Sequence, residues 1–336
     1  MEKIRLAVIG AGAIAQVAHI PSWKKLPDVE LVAVCDTVKA RAKAVAEKFK
    51  ISRYYTNDDE VLKLDDIDAV DVCVPTNTHM PVAVAALSAG KHVLVEKPMA
   101  RNVEESEKML EAARRHQRKL MVAMNVRFRR DAVNLKSFVD GGELGEVFYL
   151  KCGWLRRQKR WTEQSWLFQK KYSGGGVLMD LGIQMLDVSL WLMGNKKVKS
   201  VKATTYNRVA KLEVEDAAVA FIHLEDGATM TLEVSWTLLT EEDVLYTNLF
   251  GTRGGALLNP LRVMKEMHGN LVNLTPAREE TPTNTYKRSY ENELRHFIKC
   301  LREDIPMFSS GEESIERMRI IQKMYESAAT GKEVFF

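Results

Sequence analysis

The stretch that decides the fold is Ile4-Arg5-Leu6-Ala7-Val8-Ile9-Gly10-Ala11-Gly12-Ala13-Ile14-Ala15, close to the start of the chain. An apolar run ends at Gly10, a second glycine follows at Gly12, and the spacing of apolar residues then becomes helical. This order predicts a strand, a tight turn and the start of a helix, which together direct backbone N–H groups toward a pyrophosphate. We expect Gly10 to permit the turn, Gly12 to let phosphates approach the backbone, and Ala15 to keep helix and strand close.

A carboxylate ends the next predicted strand, Glu30–Asp36. In a dinucleotide-binding fold, a carboxylate at this place accepts hydrogen bonds from the adenosine ribose and repels a 2′-phosphate. Taken alone, Asp36 is equally typical of a residue that begins a turn. Paired with the glycine turn, it predicts NAD as the cofactor, with NADP as the less favoured alternative.

Strands and helices alternate over the first 125 residues. The predicted strands continue with Ala69–Val74, His92–Val95 and Leu120–Met124, and the predicted helices are Lys39–Phe49, Pro81–Ala89 and Asn102–His116. This alternation predicts a doubly wound parallel sheet, in which ligands bind beyond the carboxyl ends of the strands. The residues that fall at those ends are Gly10, Asp36, Pro75, Glu96 and Asn125.

The pattern changes after about residue 125. A short helix, Asp131–Val139, precedes long alternating runs at Val147–Arg156, Val198–Asn207, Ala217–Leu224, Ala228–Leu238 and Val244–Phe250. They predict a large, mostly antiparallel open sheet with one internal helix, Val177–Met193. The polar segment Asn259–Thr285 is expected to form loops, and two helices, Tyr290–Arg302 and Ser314–Ala328, follow.

The predicted architecture is therefore an α/β fold made of two domains. We expect residues 1–125 to form the dinucleotide-binding domain and residues 126–336 to form a second, α+β domain. The C-terminal helix is able to pack back on the first domain, and the active site is expected between the two.

Composition narrows the class of protein. The chain has 336 residues, with 46% hydrophobic and 28% charged residues, values typical of a soluble globular protein. The net charge of +4 is small and the basic residues are scattered, so we expect no nucleic-acid partner. No apolar run reaches the ~20 residues of a membrane span, which predicts a cytoplasmic protein with no membrane partner. Cys35 and Cys73 lie in apolar strand runs, which favours reduced core thiols, and no cysteine pair predicts a metal site.

Glu96-Lys97-Pro98 follows a strand on the ligand side of the predicted sheet. A lysine there is suited to exchange a proton with an alcohol–ketone pair if partial burial or nearby positive charge lowers its pKa. A surface lysine at a strand end is the alternative. The position relative to the glycine turn favours a catalytic role for Lys97.

A second informative stretch runs from Gly174 to Asp187, with three glycines followed by a helix. The glycines allow either a close approach or a tight turn. Asp180, Gln184 and Asp187 share one helical face that is otherwise surrounded by apolar residues. This predicts a mostly buried helix with its polar face at a cleft, the alternative being a solvated stripe.

The run Trp154–Trp161 mixes cations, among them Arg156, with aromatic residues. Guanidinium groups and ring faces are suited to hold an anionic or sugar-like substrate. A solvated strand end explains the run equally well.

Together these motifs resemble the glucose–fructose oxidoreductase / inositol dehydrogenase family (Gfo/Idh/MocA), over essentially the full chain. The features that carry the resemblance are Gly10–Ala15, Asp36, Pro75-Thr76-Asn77-Thr78-His79, Glu96-Lys97-Pro98, Asn125-Val126-Arg127-Phe128, the Gly174–Asp187 stretch and the Trp154–Arg157 run.

The resemblance implies that residues 1–125 are an NAD-binding Rossmann domain and that residues 126–336 serve substrate binding and oligomerisation. It also implies NAD(P)-dependent oxidation or reduction of a carbinol in a sugar, a cyclitol or a nucleotide sugar, in a homo-oligomer such as a dimer or tetramer. Lys97 is then the acid/base lysine, and Asp180 matches the aspartate of the family's D-x-x-x-H pair. The implied cofactor-binding residues are Gly10, Gly12, Ala13, Ile14, Ala15, Asp36, Pro75, Thr76, Asn77, His79, Glu96, Lys97 and Asn125. The implied substrate-binding residues are Lys97, Arg127, Arg156, Asp180 and Gln184.

One residue departs from the family pattern. The histidine expected four residues after Asp180 is Gln184 here. Glutamine donates and accepts hydrogen bonds but does not exchange a proton near neutral pH, which leaves Lys97 as the proton-transfer group. An NAD(P)-binding sensor or scaffold with little dehydrogenase activity is the alternative function.

Overall fold

The computed structural model describes residues 2–157, 165–209, 211–277 and 282–336. The chain forms two compact units, one made of Met1–Phe128 with Tyr286–Ile315 and the other of Arg129–Thr285 with Glu316–Phe336. The described helices are α1 (Ile20–Trp23), α2 (Lys39–Phe49), α3 (Asp58–Leu62), α4 (His79–Ser88), α5 (Val103–Arg115), α6 (Arg130–Asp140), α7 (Lys170–Ser173), α8 (Ile183–Leu192), α9 (Pro282–Glu303) and α10 (Gly311–Thr330). Short 3₁₀ turns occupy Thr76–Thr78, Asn125–Phe128 and Trp166–Phe168, and π-helical turns occupy Ala15–His19 and Leu178–Gly182.

The first unit contains a six-stranded sheet whose paired strands are all parallel. Its strands are β1 (Ile4–Ile9), β2 (Val29–Cys35), β3 (Arg53–Tyr55), β4 (Ala69–Val72), β5 (His92–Glu96) and β6 (Leu120–Ala123), in the spatial order β3-β2-β1-β4-β5-β6. This is the doubly wound order, so the predicted sheet is confirmed. Gly10, Asp36 and Lys97 each follow directly after the carboxyl end of a strand.

The strands of this sheet are nearly continuous apolar runs because both faces of a parallel sheet are covered. Leu6, Val8 and Leu94 are completely buried in the main apolar cluster of the unit. Helix α9 contributes Leu294 and Phe297 to the same cluster, and Phe297 meets the Trp23 ring edge-on at 6.4 Å. This core fixes the strand ends that carry the predicted ligand-binding residues.

The second unit is organised on a nine-stranded sheet. Its strands are β7 (Val147–Arg157), β8 (Val198–Tyr206), β9 (Ala217–Leu224), β10 (Thr229–Leu238), β11 (Val244–Gly251), β12 (Gly254–Leu258), β13 (Leu261–Met267), β14 (Asn270–Asn273) and β15 (Val334–Phe335). The order is β14-β13-β12-β11-β7-β10-β9-β8-β15, and only the β7–β10 pair is parallel among the described strands. The predicted open, mostly antiparallel sheet is confirmed. Strands β9 and β10 form a hairpin, in which Gly227 has a φ of +90°.

The expectation of loops over Asn259–Thr285 is wrong. This segment contains β13 and β14, and α9 begins at Pro282. Both strands lie toward one edge of the sheet and are partly exposed, so polar residues such as Arg262 and Glu266 interrupt the apolar alternation. Backbone pairing, which sequence pattern does not reveal, holds these strands in place.

The helical stretch Lys170–Leu192 is long and apolar enough to cross a membrane. However, 94% of its most apolar window is buried inside the fold. That placement is the one expected of a core helix, because its apolar side chains are already covered by protein.

Candidate active site

The two glycines in the turn after β1 have different structural roles. Gly10 has a φ of +98°, and a Cβ at this position would overlap the carbonyl group of Cys73. Gly12 has an ordinary φ, and a Cβ there would meet nothing within 4 Å. Gly10 is therefore required by the fold, whereas Gly12 leaves the backbone open on its outer side. An open backbone next to a helix start fits a bound pyrophosphate.

Asp36 lies directly beside this turn. Its carboxylate accepts hydrogen bonds from the backbone N–H groups of Ala11 (3.0 Å) and Val38 (2.9 Å), and Arg41 donates to it at 3.2 Å. The turn after β1 and the end of β2 are thus tied together through one carboxylate. This arrangement fits the binding of a ribose between the two strand ends.

The residues after β4 form a compact turn. Thr76 is buried, Pro75 is exposed, and the Thr78 hydroxyl donates to the carbonyl of Pro75 at 2.7 Å. Asn77 lies in the middle of this 3₁₀ turn and is half-buried. The segment therefore presents backbone and small polar groups at the same sheet edge as the glycine turn.

His79 is buried at the start of α4. Its ring nitrogens lie 2.9 Å from the carbonyl oxygens of Val74 and Pro98. Burial lowers the pKa of His79, so the ring is neutral and donates to one of these two oxygens. The structure therefore gives His79 an internal contact with the Lys97–Pro98 turn.

Lys97 is half-buried directly after β5, and its peptide bond to Pro98 is cis. The backbone N–H of Lys97 donates to Oε2 of Glu96 at 3.0 Å. Oε1 of the same carboxylate lies 2.8 Å from Nε2 of His19. The Glu96 side chain, predicted to bind cofactor, is thus engaged with the protein at both oxygens.

Sequence reasoning missed His19, which lies in the π-helical turn and is completely buried. Its Nδ1 lies 2.8 Å from Asp71 Oδ2, which also accepts from the indole of Trp23 at 2.7 Å. Burial alone would lower the pKa of His19, but the charge of Asp71 and its hydrogen bond raise it well above the usual value. The available signal was Asp71 itself, a carboxylate in the middle of an apolar strand.

Asn125 and Arg127 are both buried after β6. The Asn125 amide donates to the Ser289 hydroxyl at 2.9 Å. The Arg127 guanidinium is fully buried, donates to the Phe308 carbonyl and pairs with Glu313 at 2.5 Å. Complete burial in an ion pair is not the placement we expected for an arginine that grips substrate.

In the second unit, Asp180 and Gln184 lie one helical turn apart. Asp180 is half-buried and its Oδ2 accepts from the indole N–H of Trp236 at 3.0 Å. The Gln184 amide donates to the backbone carbonyl of Asp180 at 3.1 Å. The Trp236 indole therefore fixes the Asp180 carboxylate, and the Gln184 side chain bonds to the backbone of its own helix.

Asp187, the third residue of the predicted polar face, is not at a cleft. It is buried and pairs with the buried Arg317 of α10 at 3.3 Å. A buried carboxylate requires such a partner, because an unpaired charge in the interior is strongly unfavourable. Only the Asp180 end of the face retains exposure.

The three glycines before this helix allow close packing inside the unit. A Cβ on Gly175 would overlap the hydroxyl of Tyr325, and one on Gly176 would overlap the backbone of Glu215. The Glu215 carboxylate accepts from the N–H groups of Gly176 and Leu178 at 3.0 Å, and from the Tyr325 hydroxyl at 2.7 Å. Burial nevertheless raises the pKa of Glu215. The glycines thus anchor the start of the helix that carries Asp180.

Arg156, near the end of β7, is half-buried, and its Nε lies 3.7 Å from Asp243 Oδ2. The remainder of the predicted substrate-binding run, Gln158–Trp161, lies outside the described residues. The four cysteines are buried and form no disulfide, as predicted for Cys35 and Cys73.

A doubly wound sheet, an open glycine turn and a carboxylate at the end of β2 define the first unit as a dinucleotide-binding domain. Residues 4–124 match the oxidoreductase family described by an NAD-binding Rossmann fold (GFO_IDH_MocA), and residues 136–336 match its C-terminal alpha/beta domain. The chain belongs to this family, the Gfo/Idh/MocA oxidoreductases, and NAD is its cofactor.

Individual relatives agree with this assignment. The chain is 31% identical to D-glucoside 3-dehydrogenase of Escherichia coli strain K12, over 98% of this chain and 97% of the relative. It is 28% identical to myo-inositol 2-dehydrogenase of Thermotoga maritima, over 92% of each. The crystal structure of GenD2 from gentamicin A biosynthesis in complex with NAD has a TM-score of 0.87 and 26% identity, covering 100% of this chain and 97% of that one.

Proposed function

We propose that this enzyme transfers a hydride between NAD and a carbinol carbon of a sugar, a cyclitol or a nucleotide sugar, with Lys97 as acid/base. The observation that carries this proposal is the position of Lys97 directly after β5, at the same edge of the sheet as Gly12 and Asp36. The two dehydrogenases of a glucoside and of myo-inositol support this substrate class, because both act on polyhydroxylated rings.

When bound, NAD supplies the nicotinamide that accepts the hydride from the carbinol carbon. Lys97 takes the hydroxyl proton in oxidation and returns it in reduction, so that the C–OH group and the carbonyl interconvert. In the second unit, Asp180 accepts a hydrogen bond from substrate and Gln184 donates one, which orients the reacting hydroxyl. Gln184 does not titrate, so proton transfer is left to Lys97.

The direct test is absorbance at 340 nm while NAD and a panel of sugars and cyclitols are offered. Turnover is expected on at least one member, and Lys97→Met is expected to lower it by about 10²-fold or more with little change in NAD affinity. Lys119→Met is the matched control, because Lys119 precedes β6 at the amino end of the same sheet. Unchanged turnover in Lys97→Met would remove Lys97 from the mechanism, and bound NAD without turnover across the panel would favour the sensor or scaffold.

Asp36 is the proposed cause of a preference for NAD over NADP. Its carboxylate faces the ribose position, although Arg41 offsets part of its charge at 3.2 Å. Asp36→Ser is expected to reduce the ratio of NAD to NADP affinity by about tenfold, equivalent to about 1.4 kcal/mol. An unchanged ratio in a calorimetric titration would assign the preference to other residues.

We also propose that the enzyme is a homo-oligomer that assembles through the open face of its second sheet. Neighbouring strands place apolar side chains on this face, including Val219 and Phe221, which are 48% and 40% exposed, and Leu257. The Tyr149 and Phe250 rings stack there at 5.4 Å. A dimer or tetramer is expected by light scattering, and Phe221→Glu is expected to weaken it, because contiguous apolar surface favours association.

We further propose that the protein is cytoplasmic. Four buried cysteines without a disulfide are typical of a reducing compartment. Cell fractionation of the tagged, full-length chain tests this.

A further inference from the structure

We propose that His19 is a positioning residue for Lys97: as an imidazolium it bridges Asp71 and Glu96, and Glu96 in turn fixes the backbone N–H of Lys97. This inference rests on the proposed role of Lys97 in proton transfer. His19 itself is buried beneath the sheet edge and is not assigned a contact with substrate.

Both ring nitrogens of His19 face carboxyl oxygens. Nδ1 of His19 lies 2.8 Å from Asp71, and Nε2 lies 2.8 Å from Glu96. A neutral histidine has one N–H and one acceptor nitrogen, so it donates to only one carboxylate. Only the imidazolium donates to both, and it supplies the positive charge that two buried carboxylates need.

Every element packed against His19 contributes a titratable or polar group. The groups that face it or act on its charge are Trp23 of α1, Asp71 and Cys73 at β4, Glu96 of β5, and Tyr290 and Glu293 of α9. Burial, followed by the charge of Glu96, raises the pKa of Glu293 well above its usual value, which favours the neutral form of this carboxyl. The groups in direct contact with the His19 ring nitrogens are the side chains of Asp71 and Glu96.

The link to Lys97 passes through the two oxygens of Glu96. Oε1 contacts His19, and Oε2 accepts the backbone N–H of Lys97 at 3.0 Å. Without His19, Glu96 loses the contact that holds Oε1, and its side chain is less restrained in its rotamer. The turn that aims the Lys97 side chain would then lose its fixed support.

The π-helical turn explains how His19 reaches this position. Residues Ala15–His19 follow the glycine turn, and the N–H of Ile20 bonds to the carbonyl of Ala15 with π spacing. The wider turn directs His19 inward while Val17, two residues earlier, is 68% exposed. One short segment thus connects the glycine turn to the lysine turn across β1, β4 and β5.

A metal ion is the competing explanation for this cluster. Ligand atoms of His19, Asp71 and Cys73 lie within 4.8 Å of one another. Burial, however, raises the pKa of the Cys73 thiol, which opposes the thiolate that a metal requires. Both ring nitrogens of His19 already face carboxylates, which favours the imidazolium bridge.

The first experiment is independent of turnover. The enzyme labelled with ¹⁵N-histidine is examined by NMR at pH 8, and the shift of each His19 ring nitrogen is assigned by comparison with His19→Gln. Two protonated ring nitrogens are expected. A non-protonated ring nitrogen, or a stoichiometric metal found by elemental analysis, would overturn the bridge.

The second experiment separates positioning from folding. His19→Gln is expected to lower kcat at least tenfold, while the Kd for NADH, measured by fluorescence, changes less than about twofold. His296→Gln is the matched control, because His296 is a half-buried histidine of the same unit whose ring accepts from the Phe308 N–H and lies against Cys300, outside the His19 cluster, and its kcat is expected to stay within about threefold of the wild-type value. Equal losses of kcat in the two variants would show a merely structural role and overturn the proposal.

Glu96→Gln covers the case in which His19→Gln fails to fold. Its single acceptor oxygen serves either His19 or Lys97 but not both, so the same loss of kcat is expected; an unchanged kcat would overturn the proposal. If Lys97→Met keeps full turnover, the proposed role of Lys97 fails, whereas the NMR result still decides the charge of His19.

Discussion

The two glycine-rich turns of this enzyme use the same residue for opposite purposes. Each precedes a π-helical turn that carries a polar residue, His19 in the first unit and Asp180 in the second. At Gly12 the space that a side chain would fill is open, whereas at Gly176 it is occupied by Glu215. A glycine-rich turn therefore indicates close approach, but not whether a ligand or the protein itself approaches.

The two regions also differ in the hydrogen bonds made by their buried carboxyl groups. Near the second turn, Glu215 accepts hydrogen bonds from two backbone N–H groups and from Tyr325. In the first unit, neither oxygen of Glu293 has a hydrogen-bond partner among the described residues. The Glu215 carboxyl holds a turn through its hydrogen bonds, whereas burial raises the pKa of Glu293 well above its usual value.

The largest expected effect is on protein stability, and it differs between substitutions in the two turns. Gly176→Ala forces a Cβ onto the Glu215 backbone and is expected to lower the free energy of unfolding by about 3 kcal/mol. Gly12→Ala is the matched control and is expected to change it by less than about 1 kcal/mol, because its Cβ meets open space. Urea denaturation measures the free energy of unfolding of both variants. Equal losses of stability would contradict the different roles of the two glycines.

The second prediction concerns the ligand. Gly12→Ala is expected to weaken NAD binding by about tenfold, or about 1.4 kcal/mol, because the added Cβ lies where the pyrophosphate approaches. Isothermal titration calorimetry on the folded variant gives this value directly. Unchanged affinity would mean that the pyrophosphate does not lie against Gly12.

The smallest expected effect concerns the buried carboxyl of Glu293. Since the folded-state pKa of Glu293 is raised, the native protein binds a proton that the unfolded chain releases above the usual pKa. Stability contributed by this group is present at low pH and is lost as pH rises toward the raised pKa. Glu293→Gln does not titrate, so at pH 8 it is expected to be more stable than wild type by about 1 kcal/mol.

The matching measurement is chemical denaturation of both proteins at pH 4 and at pH 8. At pH 4, Glu293 is mostly protonated in both states, so the two proteins are expected to be closer in stability than at pH 8. A stability difference that does not grow with pH would contradict a raised pKa of Glu293 in the native enzyme.

Much of the fold follows from local pattern. The strand that ends before Gly10, the helix Lys39–Phe49 and the strand Ala217–Leu224 are predicted from apolar spacing and lie where the structure has them. The edge strands β13 and β14 could not be found in this way, because pairing with a neighbour rather than an apolar face defines them. Backbone pairing between distant segments leaves no periodic signal in either one.

The candidate site likewise contains residues that the sequence could predict and contacts that it could not. The sequence identifies Gly10, Asp36 and Lys97 because each follows a strand end on the ligand side. It does not show that His19 lies against Glu96, since those residues are 77 positions apart and meet only after the sheet has formed. It also does not show that Arg127 pairs with Glu313, because the two residues are 186 positions apart.

The proton-transfer role of Lys97 is tested most directly by single-turnover kinetics. Enzyme is saturated with NAD, mixed rapidly with a substrate identified at 340 nm, and the first NADH formed is followed in wild type, Lys97→Met and Lys119→Met. The account predicts that Lys97→Met forms NADH at least about 10²-fold more slowly, with NAD affinity intact and Lys119→Met like wild type. NADH formation at the wild-type rate in Lys97→Met would contradict it.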